Sequence, residues 1–307
     1  MVPGNPKISV VICTYNRARY LTGAMDSLST QTIGVENYEV IIVNNASTDD
    51  TALVCQKYLT EHPEAPITYL EEHQQGASFA RNTGAAIARA PLLCFMDDDA
   101  VAKNDYIEKI LAFFQVVPDA GGLGGRIIPR YVPAEPVWMS HYVSSLVGHF
   151  HYSNERSPFS GGKYPLESNM IIRTADFREI GGFSSALPGV VGNIRIGGEG
   201  KDLFYRLMQL GRVIYYDPLV IVEHVVETEK LTPAYLYRVA SGIGRGERVR
   251  IGKKGKMAFL FKTLEYIFKL GAAIVLGIGY ALQGHPAKTM PVIQFRIDAL
   301  KGLFNQP

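Results

Sequence analysis

Three cysteines in 307 residues are too few and too scattered for a disulfide framework or a zinc site. Cys13, Cys55 and Cys94 each sit in an apolar run, the pattern of reduced, buried thiols in an intracellular protein. A strong charge of either sign is also missing. With 31 Lys+Arg against 29 Asp+Glu the net formal charge is +2, which argues against a nucleic-acid partner. No secretory signal is legible either, because the apolar run inside MVPGNPKISVVICTYNR is too short and leads directly into a strand-like segment. The cytosol is the expected compartment.

An unbroken transmembrane run is lacking as well. Met257 to Leu282 is largely apolar, but its uninterrupted piece, Leu270 to Leu282, is too short to span a bilayer. Counting from Phe259 makes it long enough only with Lys262, Glu265 and Lys269 inside. Charge is nevertheless uneven along the chain. From Thr228 to Pro307 there are 13 Lys+Arg and 4 Asp+Glu, leaving 18 against 25 elsewhere, so a net −7 body carries a net +9 tail. Arg245, Arg248, Arg250, Lys253, Lys254 and Lys256 flank the apolar stretch, and peripheral contact with an anionic cytoplasmic membrane face is expected. Helices packed on the rest of the chain or on a partner are the alternative.

What the sequence does have is alternation. Short β-branched runs at Ile8–Cys13, Tyr38–Val43, Ile67–Leu70 and Pro91–Met96 alternate with helical stretches near Ala18–Ser29, Thr51–Leu59, Ala77–Ala88 and Tyr106–Val116. The fold class is therefore α/β, with a mostly parallel sheet flanked by helices. Gly121 to about Pro165 reads as strand edges and a substrate loop. Beyond it lie Leu166–Arg173, a Gly-Gly-Phe turn at Gly181–Phe183, a helix near Glu199–Leu210 stopped by Gly211, and strands around Val213 and Val220.

Ligands of open parallel sheets bind beyond the carboxyl ends of the strands, and the polar clusters sit there. Thr14-Tyr15-Asn16 follows the first strand, Asn44 to Asp49 the second, and Asp97-Asp98-Asp99 the fourth. Three successive carboxylates repel each other, and a divalent cation would relieve that. Mg²⁺ or Mn²⁺ commonly reaches a protein through one or two carboxylates plus substrate phosphates. A solvated helix start would also accept such acids.

VVICTYNR (Val10–Arg17), VIIVNNASTDDT (Val40–Thr51), GASFARNTG (Gly76–Gly84) and LLCFMDDDA (Leu92–Ala100) occur in the order and spacing of family 2 glycosyltransferases of the GT-A fold. The chain resembles that family through LESNMIIRTADFREIGGF (Leu166–Phe183) and GGEGKDLFYRL (Gly197–Leu207) as far as about His224. The resemblance implies a Rossmann-like GT-A domain over 1–228, with a nucleotide-sugar half at about 1–120 and an acceptor half at about 121–228. A helical, membrane-associated tail would occupy 229–307.

It also implies donor contacts from Thr14, Tyr15, Asn16, Arg17, Asn44, Asp49, Gly76, Arg81, Asn82, Asp97 and Asp98. Asp97 would meet the ribose or a metal-bound water, Asp99 would bind Mn²⁺ or Mg²⁺ directly, and His224, at the end of an apolar strand, would be a further ligand, with a structural histidine as the alternative. Asn44 stands where the family usually has Asp, and its carbonyl can accept the N3–H of uracil, so a UDP-sugar is the expected donor. Arg81 offers charge-assisted hydrogen bonds to phosphate or ribose, with an ion pair to a neighbouring acid as the alternative. Ser168 and Asn169 resemble the segment that faces the sugar or the acceptor, with a turn as the alternative for Asn169. Apart from the resemblance, Gly198 would let an acceptor approach closely, and Trp138 would either stack on a sugar ring or be a core or membrane-facing aromatic. The acceptor is expected to be a polysaccharide or a lipid-linked glycan.

Direct displacement at an anomeric carbon needs a carboxylate base for the acceptor hydroxyl. Glu199 and Asp202 share a helix face, and Glu199 is the choice, since Asp202 suits an ion pair with Arg206. The family often shows Glu-Asp here, whereas Gly200 follows Glu199 in this chain. Two other readings stand beside the inverting glycosyltransferase. One is a metal-dependent nucleotidyltransferase, disfavoured because TYNRARY lacks a glycine-rich loop. The other is a non-catalytic nucleotide-binding scaffold at the membrane.

Overall fold

The computed structural model describes residues 4–252 and 254–305. Lys253, one of the expected membrane-facing bases, and Met1–Pro3 of the N-terminal segment lie outside the described residues. The chain divides into two units, one comprising Met1–Ile128, Phe150–Ser185 and Gly200–Val225, the other Pro129–His149, Ala186–Glu199 and Val226–Pro307.

In chain order the elements begin β1 (Ile8–Thr14), α1 (Ala18–Ser29), β2 (Tyr38–Asn44), α2 (Thr51–Glu61), β3 (Ile67–Glu71) and α3 (Ala77–Ile87). β4 (Leu92–Asp97), β5 (Ala100–Ala102), α4 (Tyr106–Val116), β6 (Gly122–Val132), α5 (His141–Ser144) and β7 (Ser157–Pro158) follow. Then come β8 (Met170–Arg173), α6 (Thr174–Glu179), β9 (Gly189–Val191), β10 (Ile194–Ile196), α7 (Glu199–Gln209) and β11 (Ile214–Glu227). The chain closes with α8 (Pro233–Gly252), α9 (Lys256–Leu282) and α10 (Thr289–Phe304).

The first unit is built on a mixed sheet of order β3-β2-β1-β4-β8-β6-β11-β5, with β7 against β11. β3, β2, β1 and β4 pair in parallel. β8 then runs antiparallel to β4 and to β6, and β5 antiparallel to β11. Val10, Ile12, Val40, Ile42 and Cys94 point into a core shared with Leu21, Met25 and Leu28 of α1, whose spacing is helical. Val11, Ile41, Val43, Leu93 and Phe95 serve the opposite face. Apolar side chains in unbroken succession are what a strand covered on both faces requires. Gly84 lets α3 lie on that second face, since a Cβ there would fall 2.5 Å from Val11 Cγ1.

Two readings are corrected. The strands expected around Val213 and Val220 are one strand of 14 residues, β11, carried through Pro218 while Asp217 Oδ1 accepts the N–H of Leu219. The stretch expected to be edges and loop holds β6, which pairs with β8 inside the sheet.

The second unit has its own apolar core, made of Val143, Val147, Val239, Tyr266, Val292, Phe295, Ala299 and Leu303 among others. α8 and α10 touch backbone to backbone: a Cβ on Gly244 would lie 2.0 Å from the Ala299 carbonyl oxygen, and one on Gly302 would lie 2.0 Å from that of Ser241. α8 also meets the β9–β10 hairpin end, where Gly197 N–H donates to Gly242 O at 3.0 Å. Along α9, Phe261, Leu264, Phe268, Val275 and Ile278 are exposed at spacings of three, four and seven residues, with Leu260 exposed beside Phe261. Among the described residues no helix is long and apolar enough to cross a membrane.

Candidate active site

The acidic triplet is shaped by strand register. Asp97 ends β4, and the chain turns through Asp98 and Asp99 into β5. β5 pairs with β11 so that His224 stands opposite Ala100, and the Val225 N–H donates to the Asp99 carbonyl at 2.9 Å. His224 is thereby delivered to the triplet, its Nε2 lying 2.8 Å from Asp99 Oδ1 and 3.8 Å from Asp97 Oδ2.

Ligand atoms of Asp97, Asp99 and His224 all lie within 4.8 Å of one another. Two carboxylates favour Mg²⁺ or Mn²⁺, and a neutral imidazole nitrogen is a sound third ligand, so this donor set fits a divalent cation. Asp98 is buried beside them but is not part of that group.

Positive charge balances the cluster. Arg17 Nη1 lies 2.6 Å from Asp99 Oδ2, Arg81 Nη2 lies 3.5 Å from Asp97 Oδ1, and the Ser168 hydroxyl donates to Asp97 Oδ2. Burial alone would raise the Asp97 carboxyl, but the His224 hydrogen bond and the Arg81 charge outweigh it and bring it down to about 2. Asp98 goes the other way, pushed up to about 7 by burial first and by the Asp99 charge second.

The loops after β1 and β2 are tied to each other. Asn16 and Ala46 both have positive φ, 53° and 58°, a conformation that costs about 1–3 kcal/mol for a non-glycine residue unless its surroundings hold it. Here the Asn16 side chain accepts the N–H groups of Thr48 at 2.7 Å and Asp49 at 3.4 Å, while its own N–H donates to Ser47 Oγ. Asp49 accepts from Ala18 N at the start of α1 and from both Thr51 N and Thr51 Oγ1 at the start of α2. One carboxylate thus serves two helix N-termini. Asn44 is engaged at both ends of its amide, accepting from Ser47 N and donating to the Tyr69 hydroxyl. Thr14 is buried at the end of β1 and Tyr15 half-buried after it.

Gly76 has φ 141° and caps the start of α3, in the turn before Arg81. Asn82 clamps the turn that follows α6, donating to Phe183 O and accepting Phe183 N, both at 2.9 Å. Asn169, wholly buried, accepts from the Tyr106 hydroxyl and donates to the carbonyls of Arg126 and Val220. Glu199 is buried at the start of α7, after Gly198 with φ 96°. Asp202 lies 2.8 Å from Arg206 Nε, and Arg206 also donates to Ile180 O and Gly182 O. Trp138 packs against the core of the second unit.

Two residues of consequence were not singled out from the sequence. The buried Asn45 donates to the carbonyls of Glu72 and Gln74 and accepts from Gly76 N, so it shapes the loop that introduces α3. Its only signal is its place in the Asn44-Asn45 pair. Glu167, in a 3₁₀ turn just before Ser168, accepts the N–H of Gly200 at 2.7 Å. Its signal is a lone acid next to a residue already under consideration.

A family model described as glycosyl transferase family 2 matches residues 9–181, more than half of the chain. Among curated proteins, GgaB of Bacillus subtilis, a minor teichoic acid biosynthesis protein, is 36% identical over 110 residues, 36% of this chain and 12% of that protein. Validoxylamine A glucosyltransferase of Streptomyces hygroscopicus subsp. jinggangensis is 30% identical over 233 residues, 66% of this chain and 51% of that protein. The chain thus spans about half or less of the length of these two relatives. Among solved structures, the mannosyltransferase PcManGT from Pyrobaculum calidifontis, in complex with GDP-Man and Mn²⁺, aligns with TM-score 0.69 at 18% identity. The alignment covers 100% of this chain and 90% of that one, and it shows a common fold.

Proposed function

The chain belongs to glycosyl transferase family 2, and from that premise we propose that it moves a sugar, with inversion, from a nucleotide-sugar donor to a glycan or lipid-linked glycan. The observation that carries the reading is the convergence of Asp97, Asp99 and His224 at the ends of β4 and β11. A UDP-sugar is the first donor to try. GDP-mannose is the second, because the Pyrobaculum structure holds GDP-Man.

In this proposal Asp97, Asp99 and His224 hold Mn²⁺ or Mg²⁺. The ion, when bound, supplies positive charge to the leaving diphosphate. Arg17 and Arg81 already face the cluster, and their guanidinium groups suit phosphate oxygens. Asn16, Asn44 and Asp49 hold the loops against which the nucleoside would lie. A carboxylate near the start of α7 takes the acceptor proton, and the sequence nominates Glu199.

The exposed apolar stripe of α9, with Lys254 and Lys256 exposed at its start, supports docking on an anionic lipid surface. The chain would then work as a peripheral protein at the inner membrane face. Co-sedimentation with phosphatidylglycerol vesicles, lost in high salt and in F261E/F268E, is the expected result. Equal recovery with neutral vesicles would speak against it.

The central test is nucleoside diphosphate release from a panel of UDP-sugars and GDP-mannose with Mn²⁺ titrated in. Release should require the metal. D99N and H224A should each weaken Mn²⁺ binding, read by electron paramagnetic resonance, at least about tenfold. Undiminished release in EDTA together with unchanged Mn²⁺ affinity in both variants would sink the metal assignment.

A further inference from the structure

We infer that Glu167 is the catalytic carboxylate that receives the proton of the acceptor hydroxyl. The inference rests on the glycosyl-transfer reading above and names a residue within it.

Glu167 Oε1 is fixed by the N–H of Gly200, at 2.7 Å, in the first turn of α7. A Cβ built on Gly200 would lie 2.7 Å from that same oxygen and 2.9 Å from the carboxyl carbon. The carboxylate therefore fills the space that a side chain at position 200 would enter. Position 200 is where the resembled pattern carries the Asp of its Glu-Asp pair. The chain lacks an acid there and sets one in the same place from a different element.

The other Glu167 oxygen, Oε2, has no protein partner among the described residues, and the side chain is half-buried. The next residue, Ser168, donates its hydroxyl to Asp97 of the acidic cluster, which ties the Glu167 backbone to that cluster. Nearby acids are already committed. Asp202 is paired with Arg206, Asp97 lies against Arg81 and His224, and Asp99 against Arg17 and His224. Glu199 is buried.

In the step assigned to it, Glu167 Oε2 takes the proton as the acceptor O–H bond breaks and the acceptor oxygen bonds to the anomeric carbon. The bond from that carbon to the diphosphate oxygen breaks, its electron pair leaving with the nucleoside diphosphate. Glu167 then returns the proton to solvent. The N–H of Gly200, at the N-terminal turn of α7, holds one oxygen of the carboxylate in place.

A purely structural role would be to cap α7, and E167Q separates the two, because the Gln carbonyl still accepts from Gly200. With the nucleotide sugar that wild type turns over in Mn²⁺, E167Q should keep its KM within about threefold while kcat falls about 10²- to 10⁴-fold. Carboxylate relocation provides the second arm: E167G should be as impaired as E167Q, and E167G/G200D should regain at least about tenfold of kcat. Circular dichroism and urea midpoints identify any variant that fails to fold, and the relocation pair decides if E167Q is one of these.

Wild-type kcat in E167Q, with E199Q reduced a hundredfold, would overturn the inference and leave the metal-dependent transfer standing. Failure of E167G/G200D to exceed a well-folded E167G would also count against it. If wild type releases no nucleoside diphosphate from any donor, the transfer reading and this inference fall together.

Discussion

Replacing Gly244 by Ala should destabilise α8 and α10, although Ala is ordinarily the better helix former. The new Cβ would sit 2.0 Å from Ala299 O and 2.5 Å from Leu303 N, both backbone atoms that no rotamer change can move. Ordinary contact begins near 3.4 Å, so the helices must part by about 1.4 Å along that line. Val239 and Ala240 on one side and Phe295, Ala299 and Leu303 on the other are all buried against this contact. A gap of that size forfeits at least a quarter to a half of each dispersion contact across it, and forced overpacking of this kind costs about 1–3 kcal/mol or more. Contact with fixed backbone puts the cost at the upper end of that range, about 3 kcal/mol, and helix propensity returns about 1 kcal/mol, leaving a net loss of about 2 kcal/mol. Gly271 in α9 is the control, since nothing lies within 4 Å of a Cβ built there. G271A should stabilise by about 0.5–1 kcal/mol. Hydrogen exchange resolved to α8 and α10 peptides reads the difference, with about thirtyfold faster exchange expected in G244A. Protection in G244A equal to wild type, or a loss in G271A matching that in G244A, would refute the backbone-contact argument.

The carboxyl of Asp49 feels opposing pulls. Burial raises it, but hydrogen bonds from the Thr51 hydroxyl and from the N–H groups of Ala18 and Thr51 prevail and hold it below the ordinary 3.8. Its contribution to folding is therefore complete above that ordinary value and lost as pH falls through the lower, folded one. Acid titration of stability in wild type should show a component that vanishes in D49N, and identical curves would exclude the helix-start role. Burial pushes the Cys55 and Cys94 thiols up to about 12, so at pH 8 both should resist a disulfide reagent until urea is added. Rapid native labelling of either, located by mass spectrometry, would contradict their placement.

The α/β half of the fold was legible in the sequence because its signals are local. The helices expected at Ala18–Ser29 and Tyr106–Val116 are found with those ends, and the first four strands fall within a residue of their apolar runs. β11 runs on through Asp217-Pro218, where the Asp217 side chain accepts the N–H of Leu219 and carries the strand past a residue that cannot donate. α8 falls within the tail expected to be helical, but its packing left little trace, since between Val239 and Ile251 its buried face is mostly Ala240, Ser241, Gly242, Gly244 and Gly246. Close backbone approach has no hydrophobic period to read.

The same division holds at the candidate site. The triplet announced itself by unexplained charge, and Arg17 and Arg81 lay in motifs already under scrutiny. Glu167 and Asn45 matter through contacts to residues 200 and 72–76, partners that neither spacing nor composition specifies.

The pairing of β5 with β11 sets an order of events as well as a geometry. Asp97 and Asp99 are present once the first third of the chain has been made, whereas His224 arrives only near the end of the last strand. A one-residue slip in that ladder would turn His224 to the opposite face of the sheet. If Asp97, Asp99 and His224 hold the ion as proposed, tight metal capture would mark the completion of the sheet during synthesis, and a chain stalled or misregistered before that strand docks would bind cations only weakly.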